Sequence, residues 1–218
     1  KKEDTVLYLN AQKQFNLRRY PEAINEYRRL VKRFPKSNFR EAALYETGNI
    51  YYLYLNQHEN AINTYRTLIE KAPLNTNVFN AQKNIAEIYQ KQGDTNRALV
   101  EYQAVVKNFE DYIGVDEIII RIIKLYQDIM NYHQAIIETN YLIEKYPTSP
   151  FIEKALFEQG NSFFLLGQYD KAIEKFKKYL NSYPDHKERR VLAKFYLASC
   201  YDEKEDFIKV IMATFYNN

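Results

Sequence analysis

A small residue recurs along this 218-residue chain at a nearly constant interval. It falls at Ala23, Ala61, Ala98, Ala135, Ala172 and, more loosely, Val210, in steps of 38, 37, 37, 37 and 38 residues. The surrounding blocks are alike, most plainly Tyr20-Pro21-Glu22-Ala23-Ile24 and Tyr169-Asp170-Lys171-Ala172-Ile173. The block at Phe207-Ile208-Lys209-Val210-Ile211 is a degenerate copy. A period of this length marks one supersecondary unit used over and over. Such a unit cannot bury its own apolar face and must stack on its neighbours.

Two further markers keep the same period. Twelve residues after each small residue stand Pro35, Pro73, Glu110, Pro147 and Pro184, and Phe34, Phe109, Tyr146 and Tyr183 precede four of these five. About twelve residues before it stand Ala11, Gly48, Ala86, Ile123, Gly160 and Ala198. Each marker has a physical reason. Two helices of a hairpin approach closely only where facing side chains are small. Proline stops the second helix, because its ring removes a donor and clashes with the preceding turn. Polar turns such as Gln92-Gly93-Asp94 and Leu166-Gly167-Gln168 separate the helices. Within the blocks, Ala172, Ile173, Phe176, Tyr179 and Leu180 keep helical spacing, as do Ala23, Ile24, Tyr27, Leu30 and Val31. No segment alternates with period two, so essentially no strand is expected.

In the fifth repeat Leu156, Gly160, Phe163, Gly167, Tyr169, Ala172, Phe176 and Pro184 resemble the tetratricopeptide repeat (TPR). That resemblance implies an all-α fold, a right-handed superhelical solenoid of about five to six antiparallel helix pairs. It covers nearly the whole chain as one domain, 1–218, with repeats at about 5–37, 39–75, 77–112, 115–149, 151–186 and 188–216. The last pair is expected to carry a short second helix over residues 207–216, with Ile208, Ile211, Met212 and Phe215 on it. The period exceeds the usual ~34 residues, and the extra residues lie after the second helix, as in Pro35-Lys36-Ser37-Asn38 and Pro147-Thr148-Ser149-Pro150. A long period with an aromatic-Pro-x-Ser loop is similar to bacterial envelope TPR proteins, the lipoprotein of the barrel-assembly machine and the Tol–Pal coordinator among them. The resemblance therefore implies a scaffold of the periplasm or outer membrane. A cytoplasmic adaptor or co-chaperone, or an enzyme subunit with a site across repeats, is the alternative. Because the chain begins at Lys1 and not at Met, the absence of a targeting segment does not argue for the cytoplasm, and a removed signal or an N-terminal lipid or membrane anchor stays open.

Two repeats depart from the pattern. Ile123 replaces the small residue of the fourth, inside Ile118-Ile119-Ile120-Arg121-Ile122-Ile123. A helix buried on several sides explains this, and a sticky patch for a partner is the other reading. In the third, Glu110 replaces proline and Gly114 follows, so a looser loop is expected there.

Charge and chemistry narrow the function. The 31 basic and 28 acidic side chains leave a net +3 with no long run of one sign, which argues against nucleic acid as the partner. The most apolar stretch, residues 113–126, is broken by Asp116, Glu117, Arg121 and Lys124, so no transmembrane segment is expected. There is no phosphate-cradling Gly-x-x-x-x-Gly-Lys loop and no Gly-x-Ser-x-Gly elbow. His58, His133 and His186 fall far apart, at expected turns, where solvation explains them better than a metal. Cys200, the lone cysteine, reads as a buried structural thiol. No catalytic residue, cofactor or metal is expected.

What the resemblance implies instead is a protein partner, a peptide or helical segment lying in the concave groove lined by first helices. Aligning each first helix on its small marker points Tyr8, Gln12, Tyr45, Asn49, Tyr52, Lys83, Glu87, Gln90, Lys124, Gln127, Phe157, Asn161 and Phe164 inward. Tyr45-Asn49-Tyr52 and Phe157-Asn161-Phe164 repeat one arrangement. Packing of these aromatics against neighbouring repeats is the competing reading. Asn49 and Lys83 sit where some TPR domains clamp a terminal carboxylate, but the full set is missing.

Overall fold

The computed structural model describes the backbone of residues 2–185 and 187–216, and side chains as far as Glu205. Every regular element among them is helical. The helices are α1 (Glu3–Asn16), α2 (Tyr20–Arg33), α3 (Arg40–Asn49), α4 (His58–Lys71), α5 (Thr76–Lys91), α6 (Thr95–Asn108), α7 (Val115–Asp128), α8 (Tyr132–Lys145), α9 (Ile152–Leu165), α10 (Tyr169–Ser182) and α11 (Lys187–Tyr216). They divide into two compact units, Lys1–Tyr112 with three helix pairs and Ile113–Asn218 with two pairs and α11.

The markers do in space what their chemistry demands. Ala23, Ala61 and Ala98 in the first unit, and Ala135 and Ala172 in the second, are fully buried. Opposite them the first helices offer equally small positions. A Cβ built on Gly48 would lie 2.3 Å from Cε1 of Tyr65, and one on Gly160 2.8 Å from Cε1 of Phe176. Tyr65 and Phe176 each stand four residues after the small residue of the second helix, as do Tyr27 and Tyr102, and all four rings are buried. The fourth repeat inverts the arrangement. Ile123 takes the place of the small residue, and Thr139 takes the place of the ring, both fully buried. Volume moves from one helix to the other while the pair stays filled, as interior packing requires. The Ile-rich run is thus core: Ile118, Ile119, Ile120, Ile122 and Ile123 are all buried.

Each first helix is turned into its second by one residue in the left-handed region: Arg18 (φ 58), Asn56 (φ 53), Gly93 (φ 77), Met130 (φ 58) and Gly167 (φ 68). Around four of them the hydrogen bonds are those of a Schellman motif, for example Gln168 N–H to the Phe163 carbonyl (2.9 Å) and Gly167 N–H to that of Phe164 (2.9 Å). The Asn56 turn differs. Its first helix runs on from Asn49 into a π turn, Ile50–Tyr54, where Leu55 N–H bonds the Ile50 carbonyl (3.1 Å) and Gln57 N–H that of Tyr51 (2.8 Å). The cause is arithmetic. Thirteen residues separate Gly48 from Ala61, against twelve between the matching markers of the other repeats, and the π turn houses the additional one.

The loops after the second helices are pinned back onto their own repeat. Ser37 Oγ donates to Asp4 Oδ2 (2.7 Å) and Ser149 Oγ to Asp116 Oδ2 (2.6 Å), while each serine oxygen also accepts from the N–H two residues on, at Phe39 (3.2 Å) and Phe151 (3.1 Å). Asn75 does the same work by donating to Glu41 Oε2 (2.7 Å). The loop after α6 is not loose as far as Tyr112. Its Phe109 and Tyr112 rings lie 4.9 Å apart and both meet Phe79, at 5.5 and 5.8 Å. One stacked and two edge-on ring contacts stand where the proline is missing.

The sixth repeat is not a helix pair. α11 runs unbroken from Lys187 to Tyr216, through the position where a turn was expected. With the 38-residue step that carries Gly160 to Ala198 and Ala172 to Val210, Gly167 falls on Glu205, which does not favour positive φ, while Asp206 falls on the cap position of Asp94 and Asn131. The Lys204 ammonium pairs with Asp170, and the Tyr169 hydroxyl lies 3.5 Å from Glu203 Oε2, which holds this stretch in helical form against the start of α10. The expected positions Ile208, Ile211, Met212 and Phe215 lie outside the described side chains, and His186 outside the described residues.

Candidate binding surface

In the first unit α1, α3 and α5 place their expected inward residues on a partly exposed face of rings and amides. Tyr8 stacks on Phe39 with centroids 4.8 Å apart and planes at 21°. Burial, and then the nearby Glu46 carboxylate, push its phenol pKa up, while a hydrogen bond with the exposed Gln12 opposes the shift. Tyr45 is half-buried, and burial raises its pKa too, against hydrogen bonds from Asn49 and Asn84. Asn49 Oδ1 accepts from the Tyr65 hydroxyl (2.7 Å), and Asn84 Nδ2 donates to that hydroxyl (3.0 Å). Lys83 and Glu87 are half-buried on α5, and Gln90 is exposed there, its Oε1 accepting from the Tyr102 hydroxyl (3.0 Å). Tyr52 is buried, with the Lys91 ammonium 4.6 Å above its ring.

Two residues of this face escape a reading based on marker alignment. Glu46 is half-buried beside Tyr8 and Tyr45, and burial holds its carboxyl above the ordinary carboxylate range. Asn84 is buried and ties Asn49 to Tyr65. A polar side chain beside Ile85 and Ala86, within an otherwise apolar stripe, was the available signal for Asn84. Glu46 follows Tyr45 directly and carries no such mark.

In the second unit the expected residues divide between surface and interior. Lys124 is exposed and pairs with Asp128 at 3.4 Å. Gln127 is buried, its Nε2 donating to Ser162 Oγ (3.0 Å) and the Glu158 carbonyl (3.3 Å). Phe157 is core, with Phe176, Tyr179 and Tyr196 at 5.9, 5.7 and 6.2 Å. Phe164 is half-buried between Tyr169 (5.9 Å) and Tyr196 (5.2 Å). Asn161 is partly exposed, with its Oδ1 sealed from solvent and without a hydrogen-bond partner among the described residues. The residues left accessible are thus Tyr8, Gln12, Tyr45, Asn49, Lys83, Glu87 and Gln90 in one unit, and Lys124, Asn161 and Phe164 in the other.

What such a surface can do is bind. Phenol rings and carboxamides offer flat apolar area beside donors and acceptors that suit a peptide backbone. Among the described residues no three His, Cys, Asp or Glu converge as metal ligands, and no helix is long and apolar enough to cross a membrane. His58 lies at the start of α4, and His133 is exposed in the first turn of α8. The Cys200 thiol is buried, and burial pushes its pKa up to about 11, which leaves little thiolate for chemistry. Buried carboxylates occur at Glu101, held by Arg66 (2.6 Å) and Gln82, and at Glu153, held by Arg189 and the Tyr179 hydroxyl. Both tie neighbouring helix pairs together, as buried charges must be tied.

Comparison with known proteins agrees with the helical-repeat fold. The tetratricopeptide-repeat family profile matches residues 7–37, 42–75, 84–112 and 154–186. No curated protein sequence matches the chain. Among solved structures, MamA superposes with a TM-score of 0.60 at 17% identity, over 84% of this chain and 94% of that one. A tetratricopeptide repeat protein from Parabacteroides merdae gives 0.63 at 18% identity, over 97% and 80% of the two chains. YrrB, described as a TPR protein with an unusual peptide-binding site, gives 0.58 at 16% identity, over 86% and 90%.

Proposed function

Because this chain belongs to the tetratricopeptide repeat family, we propose that it is a non-enzymatic scaffold that takes a peptide or helical segment of another protein on its first-helix faces. The observation that carries the reading is the row formed by Tyr8, Gln12, Tyr45 and Asn49 in the first unit. These side chains remain partly open to solvent, whereas the rings at the matching depth of the second helices, Tyr27 and Tyr65, are buried. A half-exposed ring beside an oriented amide is the combination that gives an extended peptide both an anchor and backbone hydrogen bonds. Peptide recognition in YrrB adds support by fold likeness alone.

The test is selection from a displayed random-peptide library. A peptide with an apolar anchor should be enriched by the native chain and lost from Gln12→Ala/Tyr45→Ala, a variant whose helical circular dichroism should match the native chain's. No enriched peptide, or equal capture by both proteins, overturns the reading. Residence in a bacterial envelope is part of the proposal, supported by the aromatic-Pro-x-Ser loops that the Asp4–Ser37 and Asp116–Ser149 bonds build alike. Fractionation of the source cell decides that part, and recovery in the cytoplasm sinks it.

A further inference from the structure

The first-helix face that α10 helps to bury in the fifth repeat is bare on α11. Val191 is 67% exposed, Phe195 63% and Tyr201 43%, and Ala198 is exposed beside them. Their counterparts 38 residues earlier are Glu153, Phe157, Gly160 and Phe163, all buried in the unit that α10 completes. The other face of α11 is satisfied, with Ala193 and Cys200 in the core and Tyr196 stacked on Phe176 at 5.6 Å and 9°. The bare face therefore has the composition of a first helix and lacks only its partner.

The chain carries that partner in its sequence. Phe207-Ile208-Lys209-Val210-Ile211 repeats the second-helix block, with Val210 twelve residues after Ala198 as Ala172 is twelve after Gly160. Yet α11 passes straight through Lys204, clamped by Asp170, so the segment continues along the helix axis. At 1.5 Å per residue, about 18 Å of helix separate positions 198 and 210, and the segment cannot reach its own chain's bare face. A second copy's segment can.

We infer that the chain forms an exchanged dimer. Residues 207–216 of each copy cover the Val191, Phe195, Ala198 and Tyr201 face of the other. The exchange is reciprocal, so the assembly closes at two. It also completes a sixth helix pair in each half from two chains.

Light scattering on the purified chain across a concentration series is the first measurement. A mass near twice 26.1 kDa is expected, and a monomer at every concentration overturns the inference. Phe195→Asp, an exposed site whose change leaves folding intact, should shift the protein to monomer, and a dimer that ignores it has its interface elsewhere. Glu205→Gly supplies a left-handed former directly ahead of Asp206, which stands at the cap position of Asp94 and Asn131, so it should give a monomer in which the segment folds back on its own chain. In a Cys200→Ser background, Ala198→Cys and Val210→Cys chains are then mixed under oxidation. A disulfide between the two chains is expected, and its absence rejects the exchange.

Discussion

The inverted pair Ile123/Thr139 offers a sharp test of how these helices are held apart. Consider copying it into the fifth repeat as Gly160→Ile and Phe176→Thr. The first change alone drives a branched side chain into Phe176, since even a Cβ at position 160 would sit 2.8, 2.9 and 3.1 Å from three atoms of that ring. Overpacking of this kind costs about 3 kcal/mol, less roughly 0.5 kcal/mol regained in helix propensity. The second change alone empties a fully buried ring site and costs about 3–5 kcal/mol. Independent effects would therefore leave the double variant about 6 kcal/mol down. If the two positions share one volume, the isoleucine fills the space the ring vacates. The double variant should then lose only about 3 kcal/mol, a coupling near 3 kcal/mol. The residual loss has an identifiable source, because Phe176 also stacks on Tyr196 and meets Phe157 edge-on, contacts that threonine cannot restore. Urea unfolding followed by far-ultraviolet circular dichroism, on the native chain and the three variants, gives all four free energies. Costs that simply add would refute the shared-volume account.

Three further outcomes are expected. Met130→Gly relieves a left-handed non-glycine residue whose side chain is mostly in solvent, and should raise stability by roughly 0.5–1 kcal/mol, while Gly167→Ala should do the reverse; thermal melts of both decide it. Burial raises the Glu138 pKa above its ordinary 4.5, so the folded protein is penalised once that group ionises and loses stability as pH rises through the window above 4.5. Glu138→Gln should thus match the native melting temperature in acid and exceed it at neutral pH, and parallel melting curves at both would contradict this. Ser149→Ala removes the tie to Asp116 and should speed hydrogen exchange of the Phe151 amide by about fivefold, in line with a loss near 1 kcal/mol, without touching exchange in α1.

The repeat was legible because its markers have steric causes: Ala23 and its equivalents can be little else, and proline follows four of the first five second helices. The ring four residues beyond each small residue was equally available in the sequence, and with it Thr139 would have explained Ile123. The unbroken α11 was not legible, because a period shows where a turn should be and not what competes with it: Asp206 matches the caps Asp94 and Asn131, yet the helix runs on where Lys204 and Glu203 meet Asp170 and Tyr169 at the start of α10. The binding face was partly legible. Alignment on a 3.6-residue helix places Tyr45 and Asn49 on one side, but the π turn begins at Ile50 and rotates Tyr52 inward. Phe157 occupies the same register as Tyr45, yet Phe176 and Tyr179 of its own pair (5.9 and 5.7 Å) and Tyr196 of α11 (6.2 Å) close around it and bury it.

The π turn at Ile50–Tyr54 has a consequence for how such an array changes length. One additional residue in a regular helix would swing every later side chain by about 100° and send the apolar stripe of the next helix into water. Here the surplus is absorbed within a single turn, before Asn56 reverses the chain, and Ala61 meets its partner as though nothing had been inserted. The damage of an indel stops at the nearest bend. A repeat protein built this way can accumulate single-residue changes hairpin by hairpin, each neutral to its neighbours, and drift in local contour while its count of units stays the same.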